Sequence, residues 1–256
     1  MEKLKELVHG LLNENVFPVP ALQHINEVLL KEYQLTIAGS IRIIPKEVEI
    51  YYVARKARHP YVDQNMQCML DPKTNDAIWA LQSNRFGQVY AHKKGNGGLD
   101  ICLSDSPDYA LCCTLKAAEI NGEVCWSTQK VRNEVFRLLA GQDGTSVDKT
   151  ELTDRLNAPH TYVLLSHREH PLTGHVYHLR RKGLRRRDKN ALLPLRAFMD
   201  IWNEKLAMNR VQKITLYMDA HPSAKVLDVL REHNFRYIPA DIKIKYNMDR
   251  RAKLYE

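Results

Sequence analysis

The chain has 256 residues and a formal net charge of +8, and 44% of its residues are hydrophobic. This length fits one large domain or two small ones, and the hydrophobic fraction is enough for a sizeable core. The positive charge favours a polyanionic partner such as nucleic acid, although charge also aids solubility. No apolar run reaches the roughly 18 residues of a membrane span, so we expect no membrane partner.

The cysteine and histidine content argues against disulfides and metal. The five cysteines are odd in number and form no CxxC pair, so reduced thiols in a cytoplasmic protein are expected. The N-terminal segment carries Glu and Lys at helical spacing and does not look like a signal peptide. No standard zinc spacing fits the histidines of the segment 160–178, which are His160, His167, His170, His175 and His178.

Hydrophobic periodicity predicts two helices before a long strand. Apolar residues recur at helical spacing over residues 2–14, and again from Ala21 to Leu29. The β-branched, alternating run that follows predicts a strand at residues 39–53. Residues 54–85 are polar and contain several Asn and Pro, so we expect a long irregular connection there.

The middle of the chain predicts further antiparallel strands and two helices. Two apolar runs flank the turn sequence KKGNGG, which indicates a hairpin over residues 86–103. The apolar run from Tyr109 to Ala118 predicts another strand. Residues 127–140 and 149–157 have helical periodicity, and Tyr162 to Ser166 are predicted as a short strand.

The last quarter of the chain predicts a helix followed by a β-α-β extension. The helix is expected at Leu192 to Asn209. A strand, a helix and a second strand are then expected at Lys213 to Met218, Ser223 to His233 and Phe235 to Tyr246.

The predicted strand near residue 50 carries an unusual polar pattern. Glu47, Glu49 and Tyr51 fall at positions i, i+2 and i+4, so all three share one face of the strand. The apolar residues between them then face a core. Such a pattern is typical of a half-exposed strand with a solvated face, and also of a strand whose polar face lines a pocket.

The order of several motifs resembles the alkyladenine (3-methyladenine) DNA glycosylase family. The family signature E-[TV]-E-x-Y is matched by Glu47 to Tyr51, and His59 follows eight residues later. A Gly-x-x-Tyr strand at Gly87 to Tyr90 leads to Asp100, where the family has an asparagine. The family's Leu-Arg-Ala-x-Glu-x-x-Gly strand end is matched by Leu115 to Gly122.

The resemblance covers residues 26–122 and departs from the family at three positions. Lys93 stands where the family carries an aromatic wedge that enters the duplex. Asp100 replaces the base-pocket asparagine, and an ionised carboxylate accepts hydrogen bonds without donating them. Lys116 stands where the family has an arginine, and a lysine lacks the planar guanidinium with its paired N–H donors. The substrate is therefore expected to differ from the family's usual alkylated purines.

The resemblance implies a DNA glycosylase that flips a modified base and hydrolyses its N-glycosidic bond, the first step of base-excision repair. Glu49 would activate the attacking water and stabilise the oxocarbenium-like sugar. Tyr51 would stack on the flipped base. His59 would hydrogen-bond the base or a phosphate, and Asp100 would contact water or the base. The family's chemistry requires no metal and no organic cofactor.

Cationic residues predict the DNA contacts. Residues 180–187 are dense in Arg and Lys, and such a segment neutralises phosphates and makes binding salt-dependent. A solvated charge run is the alternative interpretation. The residues that we expect to bind nucleic acid are Lys93, Lys94, Lys116, Arg181, Lys182, Arg185, Arg186 and Arg187.

Together these observations predict an α+β fold, with a single curved, mainly antiparallel sheet and flanking helices as in the alkyladenine DNA glycosylases. We expect a glycosylase-like domain at residues 1–200 and a C-terminal extension at 201–256. Two other functions stay open: a non-catalytic nucleic-acid-binding protein of the same fold, and a metal-dependent nuclease that uses Glu47, Glu49 and Asp100. The DNA partner could be single-stranded or modified.

Overall fold

The chain forms two compact units, Met1–Met199 and Asp200–Glu256. The computed structural model describes residues 1–14, 18–55, 62–70, 75–93, 97–143, 148–158, 162–181, 184, 189–206, 208–249 and 252–255. Within these ranges, every helix is too short or too polar to cross a membrane.

The first unit contains the sheet and six of the described helices. The helices are α1 (Glu2–Gly10), α2 (Val19–Glu32), α3 (Gln67–Leu70), α4 (Asn75–Gln82), α5 (Thr128–Asp143) and α6 (Lys149–Asn157), with 3₁₀ turns at Leu11–Asn13 and Lys189–Leu192. The strands are β1 (Tyr33–Ile37), β2 (Ile41–Ala54), β3 (Val89–Ala91), β4 (Leu99–Cys102), β5 (Tyr109–Ile120), β6 (Glu123–Trp126), β7 (Val163–His167), β8 (Tyr177–Leu179) and β9 (Arg196–Phe198).

The described strands form one curled antiparallel sheet with the shape of a half-barrel. Its main path runs β3-β4-β5-β2-β1-β7, while β6 pairs with β5, and β9 pairs with both β2 and β8. With its flanking helices this is an α+β architecture built around a single antiparallel sheet, as the sequence predicts. The two longest strands, β2 and β5, lie next to each other in the centre.

Two bulges interrupt the pairing of β2 with β5. Pro45 pairs with Ala118 and Glu47 pairs with Ala117, so Lys46 is an extra residue on β2. Val48 pairs with Leu115, so Lys116 is the extra residue on β5. A bulge re-aims the side chains around it. On β2 the core-facing positions therefore change from odd numbers before Lys46 to even numbers after it.

The two faces of the sheet are both covered by apolar side chains. The larger core lies against α1, α2, α5 and α6, and it includes Val48, Ile50 and Tyr52, as the alternation of β2 predicts. A smaller cluster on the other face contains Val53, Met66, Cys68, Trp79, Tyr90, Cys102, Ala110 and Cys112. Because α3 and α4 supply part of this cluster, the polar side of β2 also faces protein.

Two predictions for the first unit are wrong. The connection expected to be irregular at 54–85 contains α3 and α4, because buried Met66 and Trp79 fold back onto the sheet. The helix expected at Leu192 to Asn209 does not form: Leu192 ends a 3₁₀ turn, and Arg196–Phe198 form strand β9. Pairing with β2 buries Ala197 and Phe198 in an extended segment, and this tertiary gain outweighs local helix propensity.

The second unit is helical, and the predicted β-α-β extension is wrong. Its helices are α7 (Arg210–Ala220), α8 (Val226–Glu232) and α9 (Ala240–Lys245). A capping box between Asn209 and Gln212 begins α7, where a strand was expected. In α9, Ile242 is buried whereas Ile244 is 80% exposed. A strand would place these two isoleucines on the same face, whereas a helix separates them.

Candidate functional site

Three polar residues lie side by side across the centre of the sheet. Glu49 of β2 pairs with Thr114 of β5, and Thr114 in turn pairs with Asp100 of β4. Directly paired residues of neighbouring strands project from the same face. All three are buried, and Glu49 is fully inaccessible to solvent. The sheet therefore brings two of the predicted site residues, Glu49 and Asp100, onto one face with a single strand between them.

Glu49 has two donors on the same carboxylate oxygen. The Tyr51 hydroxyl donates to Glu49 Oε2 at 3.0 Å, and Lys116 Nζ lies 3.2 Å from the same oxygen. Burying an unpaired carboxylate would be very unfavourable, so Lys116 offsets much of the cost of placing Glu49 inside the protein. The bulge at Lys116 is what turns this side chain toward Glu49.

The Tyr51 hydroxyl remains a neutral hydrogen-bond donor. Burial raises the pKa of Tyr51 well above its ordinary value, and the negative charge of Glu49 raises it further. The Arg181 guanidinium opposes both effects without cancelling them. Tyr51 can therefore donate to Glu49 throughout the physiological pH range.

Arg181 stacks on the ring of Tyr51 and is enclosed by protein. Its guanidinium carbon lies 4.6 Å from the ring centroid. It forms an ion pair with Asp63 in which both side chains are fully buried, and it donates to the backbone oxygens of Ile50 (3.3 Å) and Asn190 (2.9 Å). Arg181 is predicted to bind DNA, but in this structure it braces Tyr51 instead of forming part of an exposed cationic surface.

Glu47 has its own cation and does not share one with Glu49. Arg196 Nε donates to Glu47 Oε1 at 2.5 Å, and both side chains are less than a tenth exposed. Arg196 is held there because β9 pairs with this part of β2. Within the described ranges, His, Cys, Asp and Glu nowhere form a group of three that could hold a metal ion. The set Glu47, Glu49 and Asp100 is therefore not arranged as a metal-binding cluster.

Asp100 accepts two side-chain hydrogen bonds and lies close to a histidine that forms none with it. Thr114 Oγ1 donates to Asp100 Oδ1 at 2.6 Å, and Gln82 Nε2 donates to Oδ2 at 3.1 Å. His92 Nε2 lies 2.9 Å from the same Oδ2. Sequence reasoning missed both His92 and Gln82. His92 follows Tyr90 by two residues, so the period of a strand could have placed it on the same face as Tyr90 and its pairing partner Asp100. No local sequence pattern indicates a role for Gln82.

A cationic pocket lies beside His92. Lys93 is exposed and forms an ion pair with Asp154 at 2.9 Å. The pocket has a volume of about 150 Å³ and is lined by Lys93, Arg132, Phe136, Lys149, Thr150, Thr153 and Asp154. Arg132 Nη1 donates to the backbone oxygen of His92 at 3.4 Å, which connects this pocket to the Asp100 group.

Six of the predicted site residues lie outside the described residues, and their roles stay predictions. They are His59, Lys94, Lys182, Arg185, Arg186 and Arg187.

Comparison with known proteins does not assign the chain to a family. No protein-family model matches it, and no curated protein sequence matches it significantly. The interpretation of the site therefore depends on its own residues and their geometry.

Proposed function

We propose that the protein is a DNA N-glycosylase with the fold of the alkyladenine DNA glycosylases, one that removes a modified base flipped out of DNA. The observation that carries this proposal is the row Glu49–Thr114–Asp100, with the Tyr51 hydroxyl bonded to Glu49. It combines a carboxylate, an aromatic ring and a group able to read a base on one rigid sheet face. These are the parts that base removal needs.

Glu49 would act at the sugar. Cleavage of the N-glycosidic bond develops positive charge at the sugar, and a fixed carboxylate in a water-poor site stabilises that charge. The same carboxylate can accept a proton from the attacking nucleophile. Because Glu49 is fully buried, the nucleotide must enter by way of Tyr51 and Lys116, which are both partly exposed.

Tyr51 and Asp100 would hold the base. A base that stacks on Tyr51 would either contact the ring face opposite Arg181 or displace the Arg181 guanidinium from the face that it covers. Asp100 as a carboxylate can only accept hydrogen bonds, so it favours a base that presents an N–H group. His92 extends this polar group, because its Nε2 lies beside the Asp100 carboxylate.

The test is the removal of modified bases by wild type and by Glu49→Gln, assayed in EDTA on duplex and single-stranded oligonucleotides. Products are treated with hot alkali so that every abasic site becomes a strand break. We expect Glu49→Gln to lower the single-turnover rate by roughly 100-fold or more, which is the usual contribution of a positioned acid or base. Glu119→Gln is the matched control, because Glu119 is likewise paired with a lysine, Lys46, at 2.8 Å, whereas its side chain is only partly buried.

Each alternative function gives a different result in this assay. If Glu49→Gln removes bases as fast as wild type, Glu49 is not the catalytic carboxylate. A nuclease that depends on Mg²⁺ loses its activity in EDTA. A non-catalytic binding protein retains the oligonucleotide but produces no abasic site under any condition.

A further inference from the structure

We propose that Lys116 gives the protein a second activity, cleavage of DNA at abasic sites through a covalent imine. The proposal rests on the proposed function for the location of the sugar, because it places the deoxyribose beside Glu49. The substrate class is DNA that contains an abasic site, whether this protein or another enzyme has produced that site.

The position of Lys116 supports the proposal. Its amine lies 3.2 Å from Glu49 Oε2, and its side chain is 21% exposed, whereas that of Glu49 is fully buried. Lys116 therefore lies between the buried carboxylate and the surface from which DNA would approach. A nucleophile that acts on the sugar must reach it from this side.

The bulge on β5 is what creates this arrangement. Leu115 and Ala118 face the larger core, and the two residues between them, Lys116 and Ala117, do not. In an unbulged strand, positions 115 and 118 would lie on opposite faces. The extra residue allows the core pattern to continue while an amine is presented next to Glu49.

The chemistry requires an amine with an adjacent base, and both are present. A lysine attacks carbonyl carbons only when it is deprotonated, and a neighbouring carboxylate can accept its proton. Arginine holds its proton at all physiological pH values and cannot form an imine with the sugar. Because residue 116 is a lysine and not an arginine, its amine can act as a nucleophile once it has lost a proton.

The reaction balances without an oxidant or a reductant. Lys116 gives a proton to Glu49, and the neutral amine attacks C1′ of the open-chain abasic sugar, which is an aldehyde. A C1′–N bond forms, and the former aldehyde oxygen takes one proton from the amine and one from Glu49. It leaves as water, which produces a protonated imine. The Glu49 carboxylate then removes a proton from C2′, the C3′–O bond breaks, and the 3′ phosphate leaves with the electron pair. Water hydrolyses the protonated imine and restores the Lys116 ammonium, and Glu49 releases the C2′ proton to the solvent.

The test is reductive trapping on a duplex oligonucleotide that contains one abasic site. Sodium cyanoborohydride reduces an imine to a stable amine, so an intermediate becomes a protein–DNA adduct on a denaturing gel. We expect wild type to form an adduct that peptide mass spectrometry maps to Lys116, and Lys116→Arg to lose it. Lys46→Arg should keep it, because Lys46 is likewise a partly buried bulge residue, 2.8 Å from Glu119.

Two outcomes would overturn the proposal: no adduct with folded wild-type protein, or an adduct that maps to another amine. The mapping uses wild-type protein, so the test stands even if Lys116→Arg fails to fold. Failure of the lyase and failure of the glycosylase are also distinguishable. Base removal that requires alkali for strand cleavage, without trapping, leaves the glycosylase intact. Trapping on abasic DNA without any base removal supports the lyase and rejects the glycosylase.

Discussion

The buried ion pair between Asp63 and Arg181 is expected to be a major determinant of stability around Tyr51. We consider three variants: Asp63→Asn, Arg181→Met, and the two together. Asp63→Asn leaves the guanidinium with the backbone oxygens of Ile50 and Asn190 but without a counter-ion. Arg181→Met leaves the Asp63 carboxylate with the backbone N–H of Asn65 at 3.1 Å.

The magnitude follows from burial, because both side chains of the pair are fully inaccessible to solvent. Removing one partner of such a pair typically costs about 3–5 kcal/mol, since the other charge stays buried without compensation. For a unit of this size, 1 kcal/mol corresponds to about 2–4 °C in Tm, so each single variant should lose roughly 6–20 °C. Replacing both partners removes both charges and should recover a large part of the loss.

The assay is urea unfolding of the full chain, followed by far-UV circular dichroism, for wild type and all three variants. We expect each single variant to lose about 3–5 kcal/mol in free energy of unfolding, and the double variant to lose clearly less than the sum. Single variants that lose less than about 1 kcal/mol would show that the pair is open to water in solution, and additive losses would show that the two side chains are not coupled.

Two further predictions concern the Tyr51 hydroxyl and the Asp105 carboxylate. Tyr51→Phe keeps the ring but removes the hydrogen bond to Glu49. Base removal should therefore slow by roughly tenfold, which corresponds to about 1.4 kcal/mol, while DNA affinity stays unchanged. An unchanged rate in single-turnover assays would contradict the role of this bond. Burial alone would raise the pKa of Asp105, but hydrogen bonds from Tyr109 and His9 lower it overall. A lowered pKa contributes stability above the ordinary Asp pKa of about 3.9, and the contribution is lost as pH falls through the lowered value. Asp105→Asn should therefore lower the free energy of unfolding by about 1–2 kcal/mol at neutral pH, and this difference from wild type should shrink below about pH 4. Unfolding measured at several pH values tests this prediction. A difference that is independent of pH would refute the assignment.

Local sequence patterns determined much of the first unit. The period of two in β2 predicted that Val48, Ile50 and Tyr52 face the core, and the turn sequence after Tyr90 predicted the hairpin of β3 and β4. Such patterns are readable because they depend only on which residues share a face of one element. For the same reason the polar face with Glu49 and Tyr51 was visible before the fold was known.

Tertiary structure alone decided how that polar face is completed. The bulge at Lys116, the pairing that brings Arg196 to Glu47, and the enclosure of Arg181 all join segments far apart in the chain. A bulge depends on the register of the partner strand, and an ion pair depends on where its second residue lies in the fold. Neither can therefore be predicted from a local sequence pattern. The sequence by itself predicted that Glu49 and Tyr51 share one face of a strand. Only the pairing of β2 with β5 places the amine of Lys116 beside them.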